Sequence, residues 1–158
     1  MLDAIYAFKF VHMIAIAVMF GTWFAIALFM VAARRSRNTS VVAVTALFVV
    51  RAEYFLMLPA VVLAPLAGYL LADAIGVHLD EYWIELSSAL YAAVVLVWLA
   101  EVIVERRIRN RTQQAAVNGK PLPKSYRRLF RFWCGFALAG LSGMIAIMAL
   151  MIWQPHWY

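Results

Sequence analysis

His12 is the one histidine set inside a long apolar run; His78 and His156 lie in a loop and near the C-terminal end. A neutral imidazole in such a place has the chemistry of an axial ligand to a b-type haem. Lys9, one helical turn earlier, would then meet a haem propionate. On a helix, His12 shares its face with Lys9, Ala15, Ile16, Met19 and Trp23, at spacings of three, three, four, seven and eleven. The competing reading is an imidazole hydrogen-bonded to a neighbouring helix or to interfacial water. A six-coordinate haem would need Met13, Met19, Met57, Met144, Met148 or Met151, or a second subunit, because no other apolar run holds a histidine.

Arg51, Glu53 and Glu101 are the other ionisable residues embedded in apolar sequence. Charge in a membrane span is costly and marks a functional candidate by default. Arg51 and Glu53 are two residues apart, so a helix turns them to different faces and does not pair them. Arg51 has two routes open: toward the helix end, or into an ion pair with Glu101, since buried charges demand partners. Glu53 is the candidate for a proton or cation site.

These residues sit in four runs, approximately 5–33, 41–74, 83–104 and 129–153. Each is long enough to cross a hydrocarbon core, which needs about 20 helical residues. The composition agrees: the chain is 66% apolar and 14% charged, and a water-soluble fold would leave much of that apolar surface wet. The expected fold is all-α, a polytopic membrane domain over residues 1–158 with four antiparallel transmembrane helices. Asn38, Thr39 or Ser40 is placed to cap the second helix. The third helix is expected to run on into water and end near Asn118-Gly119, with Pro121 and Pro123 as stop signals in a connection spanning 105–128.

Charge orients the bundle. Of fourteen basic residues, three lie at 34–37 and nine from 106 to 131, while the connection at 75–82 has none. The positive-inside rule puts the two basic connections in the cytoplasm, in contact with anionic lipid, and both termini outside. Trp83, Trp153, Trp157 and Tyr158 then gather at the outer interface. Arg127, Arg128 and Arg131 oppose the helix dipole at the start of the fourth helix and are assigned to lipid phosphates. The same placement argues against nucleic acid as the partner of the net +6 charge.

Two helices carry packing signals. Gly135, Ala139, Ser142, Gly143, Ala146 and Ala149 recur at short helical spacings, a smooth stripe expected to contact other helices of the chain rather than form a dimer face. Pro59 and Pro65 remove backbone donors that Phe55 and Val61 would otherwise receive, which predicts a kinked second helix, with Gly68 adding freedom.

The lone Cys134 allows neither an intrachain disulfide nor a thiolate cluster. Residues 1–8 lack the basic start of a cleavable signal. Nucleophile-elbow, phosphate-loop and HExxH motifs are missing, so soluble-type catalysis has no support. The sequons at Asn38 and Asn110 fall on the cytoplasmic side and are read as coincidental.

Several motifs together resemble a bacterial family of predicted four-helix integral membrane proteins of unknown function. They are Lys9-Phe10-x-His12 with Gly21, Arg51-Ala52-Glu53 running to Pro59, Pro65 and Gly68, Tyr126-Arg127-Arg128 leading to Trp133, and Met151-x-x-Gln154-Pro155. That family usually ends in Lys-Pro where Gln154-Pro155 stands here. More distantly, the layout is similar to copper-resistance D and protoporphyrinogen oxidase J-type membrane proteins, through His12 and through Arg51 ahead of a proline. The first resemblance implies a bacterial inner membrane; this second one implies b-type haem and redox chemistry. It does not extend to oxidase activity, whose additional lysine has no match in helices three and four. Three readings follow, in order: a non-catalytic bundle or membrane-complex subunit with internal polar packing; a haem-binding redox protein using His12; a small transporter using Glu53.

Overall fold

A computed structural model describes residues 2–154. They form α1 (Leu2–Arg35), α2 (Thr39–Ala52), a π-helical turn (Glu53–Met57), α3 (Leu58–Ile75), α4 (Tyr82–Val117) and α5 (Lys124–Trp153), with no strand among them. The segment Thr39–Ile75 runs as one span through α2, the π turn and α3, so four helices are long and apolar enough to cross a membrane. Trp157 and Tyr158, expected at an interface, lie outside the described residues.

Local chemistry sets the boundaries. Asn38 caps α2: its side-chain oxygen accepts the backbone N–H groups of Ser40 and Val41 at 2.9 and 3.3 Å, two of the donors a helix start leaves unpaired. At the other end of that span Gly76 adopts the left-handed conformation, φ 73°, and Val77 N–H returns to Ala72 O at 3.0 Å. The connection expected at 105–128 is mostly helical. Helix α4 continues to Val117 and α5 begins at Lys124, leaving only residues 118–123 between them. The polar residues that made this stretch look like a loop are an exposed extension of α4, whose other face remains buried through Glu105, Ile108, Thr112 and Ala115.

The irregularity in the second span is a π turn rather than a simple proline kink. Leu58 N–H bonds Glu53 O, five residues back, directly before Pro59. Widening the turn there moves the carbonyls out of the register that the proline ring would strike. Pro65 lies inside α3. Either side of the π turn the span has different neighbours: α2 packs chiefly on α4, and α3 chiefly on α1. With α4 on α5 and α5 on α1, the four spans close into a ring.

Buried apolar side chains form two clusters. One contains Met19, Trp23, Met57, Trp98, Val102 and Met144; the other contains Met30, Val49, Val104, Ile108, Phe130 and Trp133. Large apolar side chains also point outward along every span, among them Phe24, Phe55, Leu96, Leu138 and Ile152. An outward-facing apolar surface of this kind suits lipid and not water.

The small-residue stripe of α5 meets its expectation only in part: Gly143 packs inside the chain against Val94, and Ala149 is half-buried. Gly135, Ala139, Ser142 and Ala146 are exposed, and the face that packs inside the chain carries Tyr126, Phe130, Trp133, Ala137, Gly140, Met144 and Ile147. Gly140 and Gly143 are the close-approach glycines: a Cβ would lie 1.9 Å from the Trp23 ring at Gly140 and 2.5 Å from Val94 Cγ2 at Gly143, whereas one at Gly135 would meet nothing within 4 Å. Large aromatic side chains from α1 need a flat surface opposite them, and Gly140 supplies it.

Candidate functional site: polar groups inside the bundle

Between the two apolar clusters lies a layer of carboxyl and indole groups. Glu53 on the π turn and Glu101 and Glu105 on α4 are buried, with relative exposures of 2%, 0% and 1%. Glu101 and Glu105 are one helical turn apart and therefore share a face. Glu53 approaches them from the second span, near enough to act on both electrostatically.

Each carboxyl faces an indole. Trp98 Nε1–H donates to Glu53 Oε2 at 2.5 Å, tying α4 to the π turn. Trp133 Nε1–H donates to Glu105 Oε1 at 2.8 Å, tying α5 to α4. Trp23 Nε1–H, from α1, is turned toward Glu101 without closing a hydrogen bond. Both Glu101 oxygens, Glu105 Oε2 and the Trp23 N–H are buried with no hydrogen-bond partner.

Arg51 does not join this layer. Its side chain is exposed and its guanidinium lies 6.0 Å from the centre of the Phe48 ring, so the expected Arg51–Glu101 ion pair is not formed. The two-residue offset explains why: if Glu53 faces the interior, Arg51 must face out. Arg106 likewise turns outward over Tyr54 at 5.1 Å, and Arg34 lies over Phe130 at 4.3 Å. Among the described residues, no three His, Cys, Asp or Glu side chains converge to hold a metal ion.

A second pair of polar contacts lies farther from the basic connections. His12 Nδ1 is 2.7 Å from Ala64 O. A carbonyl only accepts, so in this contact Nδ1 carries the proton and donates. Gly68 makes the fit possible, because a Cβ there would approach His12 Cε1 to 2.9 Å. Three residues along, Tyr91 O–H donates to Val61 O at 2.6 Å. Val61 O is the carbonyl that Pro65, four residues on, cannot serve, so the α4 tyrosine supplies the donor the proline lacks. Lys9 is exposed, one turn from His12 toward the N-terminus.

Sequence reasoning singled out His12, Lys9, Arg51, Glu53 and Glu101. The fold brings Glu53 and Glu101 together, holds His12 apart from them, and leaves Lys9 and Arg51 outside. Glu105 and the three tryptophans were missed. A signal existed for Glu105: it follows Glu101 by one helical turn, with apolar residues between. Its place beside Arg106 and Arg107 assigned it to the loop instead.

No curated protein and no solved structure matches the chain. The family described as "Predicted integral membrane protein (DUF2269)" matches residues 6–155. That match covers all four spans and the polar layer between them, and the chain belongs to this family.

Proposed function

We propose that the protein is a non-catalytic helix bundle serving as a subunit of a membrane assembly, in the first instance an assembly of its own copies. The observation that carries this reading is the division of labour on α5. Its aromatic face is spent on the chain's own interior, and its smooth face of Gly135, Ala139, Ser142 and Ala146 is left exposed. In lipid, helix association rests on close packing and interhelical hydrogen bonds, and small residues allow backbones to approach. The internal polar groups fit the same role: His12 to Ala64, Tyr91 to Val61, Trp98 to Glu53 and Trp133 to Glu105 each join two helical elements. The test is self-association of two differently tagged copies in bilayer discs. Ala139→Leu should reduce co-capture roughly tenfold, the effect of losing about 1.4 kcal/mol of packing. Wild-type copies that never associate would reject the reading.

In this proposal the basic connections face the cytoplasm and anionic lipid of the bacterial inner membrane, with both termini outside. The support is the gathering of twelve of fourteen basic residues at one end of the bundle.

One observation favours a second reading, a b-type haem on His12. Histidine ligands commonly donate their other ring N–H to a backbone carbonyl, which aims the free nitrogen at the metal. His12 has this arrangement, with Ala64 O as the acceptor. The distant likeness to copper-resistance D and protoporphyrinogen oxidase J-type proteins points the same way. Haem bound there would supply one-electron chemistry, His12 Nε2 the axial donor and Lys9 a charge for a propionate. A Soret band lost in His12→Ala supports this reading. The lack of any band after haem supplementation removes it.

A further inference from the structure

Interhelical packing accounts for Glu53 and Glu105, whose indole partners tie helices together, but not for Glu101. Its side chain is fully buried, neither oxygen has a hydrogen-bond partner, and the Trp23 N–H turned toward it is unpartnered as well. A carboxyl group used only as packing would be replaced at no loss by an apolar side chain of similar size. Glu101 is also flanked by two more carboxyls, so the layer concentrates three acids where charge is most costly.

Among the described residues, the groups facing this layer supply no compensating cation. From α1 come Trp23 and, toward the basic end, Arg34, which is spent on the Phe130 ring. From the second span come Glu53 and, turned away to Phe48 and Tyr54, Arg51 and Arg106 of α4. From α5 come Trp133 and the half-buried Cys134. Protons are therefore the compensating charge that fits. They need no three-ligand geometry, and a carboxyl whose one oxygen is held by an indole presents the other for exchange.

We propose that Glu53, Glu101 and Glu105 form an intramembrane proton-binding site, entered at Glu105 from the end that carries the basic connections. Glu105 is the member nearest the exposed extension of α4. A proton from hydronium forms an O–H bond at Glu105 Oε2 and leaves water behind. That O–H breaks as one forms on Glu101, returning Glu105 to a carboxylate, and the same exchange passes the proton to Glu53. No electron is transferred. Trp133 and Trp98 hold the flanking carboxylates in place between transfers. Glu101, whose oxygens have no hydrogen-bond partner, is the member placed to pass a proton between them. This site does not depend on self-association through α5.

Infrared spectroscopy of the full chain in lipid discs, transferred from H₂O to D₂O buffer, tests it. The expected result is carboxylic-acid carbonyl bands at neutral pH that shift on deuteration, with one band absent in Glu53→Gln. Glu105→Gln keeps an acceptor for Trp133 and removes the entry group, so deuteration of the remaining bands should slow roughly tenfold or more. Glu105→Asp should recover most of the rate. Ionised carboxylates throughout, protonated bands that never exchange, or exchange indifferent to Glu105→Gln would each overturn the proposal. The wild-type spectrum alone decides the first two should the variant fail to fold.

Discussion

Tryptophan 98 and glutamate 53 show how a polar pair earns its place in an apolar interior: the indole contributes area, and its N–H satisfies an oxygen that would otherwise be stranded. Trp98→Phe keeps most of the area and removes the donor. It should destabilise the bundle by about 1–3 kcal/mol, the cost of leaving a buried acceptor unpaired, read from unfolding in detergent. A change below a few tenths of that would show that Glu53 finds another donor. His12 offers a smaller example. Gly68→Ala puts a methyl group against the imidazole, so it should break the contact with Ala64 and cost about as much as His12→Ala. In the double variant the two losses should not add, because both remove one interaction.

At the scale of elements, the second span is shaped by its prolines and by what neighbouring helices supply to repair them. Tyr91 serves Val61 O only because Pro65 does not. Tyr91→Phe should therefore cost about 1 kcal/mol in the native background and much less alongside Pro65→Ala, where the new backbone N–H takes over. Equal costs in both backgrounds would detach the tyrosine from the proline. On α5 the two glycine faces should separate cleanly. Gly140→Ala drives a methyl group into Trp23 and should destabilise by at least 1–3 kcal/mol, the usual cost of overpacking. Gly135→Ala meets nothing inside the chain and should stabilise the helix by up to about 1 kcal/mol.

For the whole molecule, two buried apolar clusters flank a carboxyl–indole layer, so the interior of the bundle is polar between two greasy stretches. The proposed orientation predicts that tags at both termini report from outside the cytoplasm, while a cysteine placed at Lys120 is labelled only from within. Tags reporting from the cytosol would reverse the bundle and move the entry at Glu105 to the opposite face. The number of spans, a cap for the second helix among Asn38, Thr39 and Ser40, the stop near Asn118 and the basic end were all legible, because each depends on a short stretch of chain. The faces were not. Glu105 looked like loop and turned out to be interior, Arg51 had a route to Glu101 open and lies outside instead, and of the α5 stripe expected inside, Gly135, Ala139, Ser142 and Ala146 are exposed while Gly143 packs on Val94.

What the sequence determined by itself was the solvent and the punctuation: transfer into lipid adds up residue by residue, and caps and stops are made by neighbours along the chain. What only the tertiary structure decided was which side of each helix meets the others. In water, an apolar stripe marks the inside of a helix. In lipid both sides are apolar, so that signal vanishes, and the inward face is chosen by shape and by hydrogen-bond partners contributed from distant parts of the chain.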